Sequence, residues 1–301
     1  MNVWPPSLAV CNRNRSFNAT CPSMACSGPK GDGNSVMLGA ALPSVATAQA
    51  SSFDRFWNAL HLQETLTIVR EEGHSYALEA AEQLTGRPSD RFWQREVDQI
   101  YDLERMTAQV RADLQQAMVG RDLGAVLAYY ESEAGQQVID LEISARRAYL
   151  APGVDEAARE AWYGGGNVGA RADLIRRLIR DGELIERNVV GALNSNFAFL
   201  TAFAQSGPNE GMVLDERAIL DEVMSEEDAL RLDTAEWLYG YLSLAYGPLS
   251  EQALEELAEI SDSPAGRHLN DVLFLGFDPM FEDLARRLGV AAGQALLQQD
   301  L

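Results

Sequence analysis

The sequence predicts an all-α protein: a multi-helix bundle, with two similar helical halves that share a core. Three observations carry this. Beyond Ser51 the chain is dominated by Ala, Leu, Glu, Gln and Arg, residues that lose little on entering a helix. Its apolar residues recur at steps of three and four. It also has no run of alternating β-branched residues that would mark a strand.

The elements follow in order. Gly86-Arg87-Pro88 separates two early helices, because glycine and proline both interrupt helical geometry. Residues 133–149 place Val138, Leu141, Ala145 and Ala148 on one stripe. Pro152-Gly153 ends that helix. A short helix from Asp155 to Tyr163 then runs into Gly164-Gly165-Gly166. Residues 171–180 repeat Leu174, Ile175, Leu178 and Ile179, and residues 183–204 carry Ile185, Val189, Leu193, Leu200 and Phe203. Ser206-Gly207-Pro208-Asn209 is the next break. Ser225, three residues before Asp228, predicts a capped helix over 225–246. After Gly247-Pro248, the last long helix is expected from about Pro264 to Leu297, kinked where Pro279 removes a hydrogen bond.

Residues 1–50 read differently. They hold all three cysteines (Cys11, Cys21, Cys26) and the only lysine, Lys30. The uncharged stretch from Val36 ends in Ala48-Gln49-Ala50, the small-x-small pattern that precedes a signal-peptidase cut. Cleavage between Ala50 and Ser51 is the expectation, which makes the chain periplasmic or secreted. A cytoplasmic protein with a disordered tail, a lipoprotein anchored at Cys26, and a start other than Met1 are the alternatives. The remaining organisation is an N-terminal half at 51–163, a glycine-rich joint at 164–169 and a C-terminal half at 170–301. The halves echo each other. Ser132-Glu133-Ala134-Gly135-Gln136 and Ser263-Pro264-Ala265-Gly266-Arg267 lie 131 residues apart, each opening a long apolar helix. Ile68-Val69-Arg70-Glu71-Glu72-Gly73 likewise resembles Leu178-Ile179-Arg180-Asp181-Gly182.

Composition excludes several chemistries. The formal net charge is −21, so the electrostatic route to nucleic acid is missing. Past residue 50 the chain has 21 basic residues, all arginine, against 44 acidic ones. It has no cysteine or lysine there, hence no thiolate nucleophile, Schiff-base lysine or Cys-rich zinc site. No later segment is long and apolar enough to be an integral membrane span. No cofactor is expected.

The stretch Val126-Leu-Ala-Tyr-Tyr-Glu-Ser-Glu-Ala-Gly-Gln-Gln-Val138 resembles the signature of the bacterial family called domain of unknown function 2059. That signature is a short helix ending in an aromatic, a Ser-x-x-Gly turn, and an amphipathic helix. The likeness covers about residues 98–155. Glu142-Ile-Ser-Ala-Arg-Arg-Ala148 and Asn188-Val-Val-Gly-Ala-Leu-Asn-Ser-Asn196 look like the longer alphaproteobacterial members. The resemblance implies a helical bundle in an exported protein and implies no activity.

Few residues stand out chemically. Gly164-Gly165-Gly166-Asn167-Val168-Gly169 spells G-x-G-x-x-G, but a dinucleotide site needs a strand before it, and a helix is predicted there. His61, His74 and His268 lack a metal-ligand spacing, so no metal site is expected. The many carboxylate pairs read as solvated helix faces. No catalytic residue is assigned. The candidate ligand-binding residues are Arg146 and Arg147, which can grip an anion, and Asn194 and Asn196. Arg146 also lies one turn after Glu142, the spacing of an ordinary ion pair. Asn196 falls on the stripe from Leu193 to Leu200, where an amide either fixes helix register or lines a pocket. The functional expectation is binding or assembly in the cell envelope, with an envelope protein or small apolar ligand as partner. The alternative is a hydrolytic enzyme with a carboxylate or histidine base.

Overall fold

Helix follows helix through the computed structural model, which describes residues 52–86, 88–207 and 215–297. The leader at 1–50 and its cleavage site lie outside these residues. No strand occurs among the described residues, so the all-α class holds.

The first helices are α1 (52–59), α2 (Leu62–Glu79), α3 (Ala81–Thr85), α4 (Arg91–Ile100) and α5 (Leu103–Ala117). His61, in the left-handed region at φ 48°, breaks α1 from α2. The side chains of Asp90 and Asp102 accept from the backbone N–H groups of Trp93 and Arg105 (both 2.8 Å), and so start α4 and α5. Next come α6 (Gly124–Tyr130), α7 (Glu133–Tyr149) and α8 (Val154–Ala161). The glycine run then forms a wide π-type turn at Trp162–Gly166, with Gly165 at φ 137°. This joint is pinned, because Trp162 is buried and stacks on Tyr239 at 4.9 Å. The second half holds α9 (Ala170–Asp181), α10 (Leu184–Ser206), α11 (Glu216–Ser225), α12 (Glu227–Tyr246), α13 (Glu251–Asp262) and α14 (Pro264–Leu297).

One expected cap is corrected. Ser225 closes α11 instead of opening α12, and its hydroxyl donates back to the Glu222 carbonyl at 2.7 Å. A hydroxyl already inside a last turn finds that carbonyl sooner than a downstream N–H. Accordingly α12 starts at Glu227 without a side-chain cap.

One of the two internal echoes is structural; the other is not, because residues 68–73 lie inside α2 whereas residues 178–182 end α9. Ser132 and Ser263 each cap a long helix, accepting from Gly135 N (3.2 Å) and Gly266 N (3.1 Å). Each hydroxyl also donates 2.6 Å back to the helix before, to the carbonyls of Tyr129 and Ile260. A β-carbon at Gly135 or Gly266 would stand 2.1 Å from those same two carbonyl oxygens. Both turns are therefore too tight for any residue but glycine. The two units also meet, since α6 packs on α13 and α14.

The halves share one core. The main buried cluster runs from Phe53 to Ala292, and a small second one joins Val189 and Ala192 of α10 to Leu230 of α12. α14 is its spine, packing on α3, α4, α5 and α6 of the first half and on α10 and α13 of the second. α12 does the same between α7, α8, α9 and α10. The pair α10–α14 is parallel. Asn270 donates to the Gly182 carbonyl (2.8 Å) and Arg187 meets Asp271 (2.7 Å) near the start. Gly289 faces Phe199 and Gly293 faces Gly207 further on. There a β-carbon at Gly289 would lie 2.3 Å from the Phe199 carbonyl oxygen, so glycine lets the backbones touch. Among the described residues no helix is long and apolar enough to cross a membrane.

Candidate functional site

The most unusual chemistry is internal, where α7 lies between α2 and α12. Glu142 and Arg146, one turn apart on α7, both turn inward and are buried. Arg146 reaches Glu72 of α2 with two prongs, Nε to Oε1 at 3.2 Å and a terminal nitrogen to Oε2 at 3.0 Å. Glu142 turns to α12 instead. The Tyr246 hydroxyl donates to its Oε1 at 2.5 Å, and the Tyr241 hydroxyl donates to its backbone carbonyl at 2.8 Å. Tyr130, also buried, feels the Glu142 charge. Thus α2, α7 and α12 are tied by two carboxylates, one guanidinium and two phenols.

Burial sets the electrostatics. It raises the Glu72 carboxyl above the usual range, and the neighbouring Arg146 opposes the rise. Tyr130, Tyr241 and Tyr246 are pushed far above the ordinary phenol value, first by burial and then by the Glu142 charge. The phenols therefore stay protonated and act as donors. Such a network fixes which face of α7 meets α12, because removing one member strands a charge in the core.

An aromatic wall flanks the cluster. Trp237 and Tyr241 stack at 4.9 Å, and Tyr149 stands edge-on to both. Beyond it, Arg159 of α8 gathers Asp155 (2.7 Å), Asp233 (2.8 Å) and Glu236 (3.4 Å). Burial opposes the Arg159 charge and these carboxylates outweigh it, so the guanidinium is raised.

The four residues singled out in the sequence are not gathered in one place. Arg146 sits in the buried cluster, whereas Arg147 is exposed and pairs with Glu64 of α2 at 2.7 Å. Asn194 is exposed on α10 and Asn196 half-buried. The expected core amide is corrected in position. The buried stripe of α10 is Leu184, Asn188, Ala192, Ser195, Phe199 and Ala202, and Leu193–Asn196–Leu200 is its half-buried flank. Asn188 is the buried amide, donating to the Leu184 carbonyl at 2.7 Å. α7 packs on α2, α6, α8 and α12, while α10 packs on α9, α11, α12 and α14. Glu72, Tyr241 and Tyr246 were missed in the sequence. Their only signal was a glutamate or tyrosine on the apolar side of a helix.

The histidines have separate partners. His61 shares a hydrogen bond with Gln136 (3.0 Å), His74 with Asp98 (2.8 Å) and His268 with the Asp122 carbonyl (3.4 Å). No group of three or more His, Cys, Asp or Glu that could hold a metal ion is found among the described residues. The glycine run lies between α8 and α9, and the described residues before it form helix, not strand.

The fold and this cluster define an all-α bundle with one charged cluster enclosed between three of its helices. Comparison with known proteins finds no matching family model, no similar curated protein and no similar solved structure.

Proposed function

We propose that the chain acts by binding or assembly in the cell envelope after export, with its apolar docking face on α10, α11 and α12. One observation carries this reading. Leu220 and Met224 form an exposed one-turn pair on α11, beside buried Ile219 and Val223. Val190 of α10 and Leu232 of α12 are exposed too, at 55% and 61%, and the three helices pack on one another. Large apolar side chains held in water on neighbouring helices favour a partner that covers them. The partner chemistry that fits is an apolar helix face of an envelope protein, or a small apolar ligand. The small-x-small stretch ending at Ala50 and the family resemblance at 126–138 support the destination.

The test places a photoreactive residue at Leu220 in the cell that makes the protein, with the exposed Val119 as control site. The expected result is one defined adduct from Leu220, lost in the M224E variant, and none from Val119. Covering two half-exposed side chains is worth about 2 kcal/mol, so M224E should weaken binding by about tenfold or more. Protein from the periplasmic fraction should begin at Ser51. Equal labelling from both sites, or recovery only from the cytoplasm, would overturn the reading.

A further inference from the structure

The seam between α10 and α14 contains a carboxyl group that no ion pair accounts for. Asp278 of α14 is half-buried, opposite Gly191 of α10. Glycine makes the room: a β-carbon at 191 would lie 3.3 Å from Asp278 Oδ1. The nearest cation on α10, Arg187, is committed elsewhere. It pairs with Asp271 (2.7 Å) and Glu183 (3.3 Å) and lies over the Phe274 ring at 5.5 Å. On its own helix Asp278 faces Glu282 one turn later, a like charge. Among the described residues, α3, α4, α5, α6 and α13 also pack on α14, and none brings a charge that acts on Asp278. The cation α5 sends toward this half of the helix, Arg105, is tied to Asp283 together with Arg287 (both 2.6 Å) and Arg286.

The helix is also weakest at this point. Pro279 follows directly, and without an N–H it leaves the Leu275 carbonyl with no helical donor. A carboxyl lodged between two parallel helices thus sits beside a turn that already lacks one rung. We propose that Asp278 is a proton-operated latch, which closes the α10–α14 seam when neutral and loosens the turn of α14 around Pro279 when ionised. This holds whether or not the docking face on α11 is correct.

The sign follows from the surroundings. Burial, then the Glu282 charge, raise the Asp278 carboxyl to about 7, and Arg187 only partly offsets them. The folded state therefore holds its proton more tightly than the unfolded chain. The contribution of Asp278 to stability is full below the ordinary carboxylate range and falls as pH rises to about 7, where the group ionises in the fold. The neutral isostere D278N removes this slope.

The experiment compares wild type, D278N and E282Q by urea unfolding and by hydrogen exchange of the 275–283 amides, corrected for intrinsic rates, from about pH 5 to about pH 8. In wild type those amides should lose at least tenfold in protection as pH rises from about 5, and the loss should level off near neutrality, where Asp278 is ionised in the fold. D278N should stay protected throughout and be the more stable form at the alkaline end. E282Q, which removes the like charge, should move this levelling-off to lower pH. Unchanged protection in wild type would overturn the latch, as would the same loss in D278N. If D278N fails to fold, E282Q decides alone, and a levelling-off at the same pH as wild type would contradict the proposal.

Discussion

Glu142 and Arg146 are the only charged residues fully buried among the described residues, and Glu72 meets Arg146 at the edge of that cluster. Arg146 takes both oxygens of Glu72 inside the bundle, and Glu142 is held by a phenol at 2.5 Å. Groups this enclosed are costly when half-satisfied. Replacing Glu72 by Gln should strand the guanidinium charge and cost about 3 kcal/mol of unfolding free energy. Tyr246→Phe leaves the Glu142 oxygen without its donor and should cost about 1–3 kcal/mol, read as a lower urea midpoint at unchanged slope. Arg147→Ala, which removes only an exposed pair with Glu64, should change stability by less than about 1 kcal/mol. The adjacent arginines thus differ by where α7 turns them, and the sequence could not order them. Glu72 is 74 residues away from Arg146 and no local spacing connects them. Asn188 and Asn196 make the same point. Asn196 fits an apolar stripe on paper, but the buried face of α10 includes Asn188 and leaves Asn196 at its edge.

Helices were legible where two local signals agreed. α7 spans Glu133–Tyr149 as expected, because Ser132 offers a cap at one end and Pro152-Gly153 forbids continuation near the other. α14 starts at Pro264 for the first of these reasons, with Ser263 as its cap. The α11–α12 border was misplaced because Ser225 satisfies itself within the helix it ends, an outcome the spacing to Asp228 does not reveal. The paired turns at Ser132–Gly135 and Ser263–Gly266 offer a test at this scale. Each glycine leaves no space for a β-carbon against the preceding helix. Gly135→Ala and Gly266→Ala should therefore both destabilise by about 1–3 kcal/mol or more. Ser132→Ala and Ser263→Ala should each cost about 1 kcal/mol, matching each other if the duplication extends to energetics. Thermal unfolding followed by circular dichroism reads all four.

For the whole molecule, the halves of the sequence are not halves of the structure. Leu114 of α5 lies under Gly276 of α14, and Glu142 of α7 is closed by Tyr241 and Tyr246 of α12. A duplicated pattern in the chain has become one body because α12 and α14 each pack on both halves. Outside that core, Val190, Leu220, Met224 and Leu232 stay exposed on α10, α11 and α12. The direct test is equilibrium unfolding in urea, followed at once by far-ultraviolet circular dichroism and by fluorescence of single-tryptophan variants keeping Trp93 or Trp237. One shared core predicts coincident transitions at both reporters, and an isolated 51–163 fragment without cooperative unfolding. Two separated transitions, or a 51–163 fragment that melts cooperatively by itself, would contradict it.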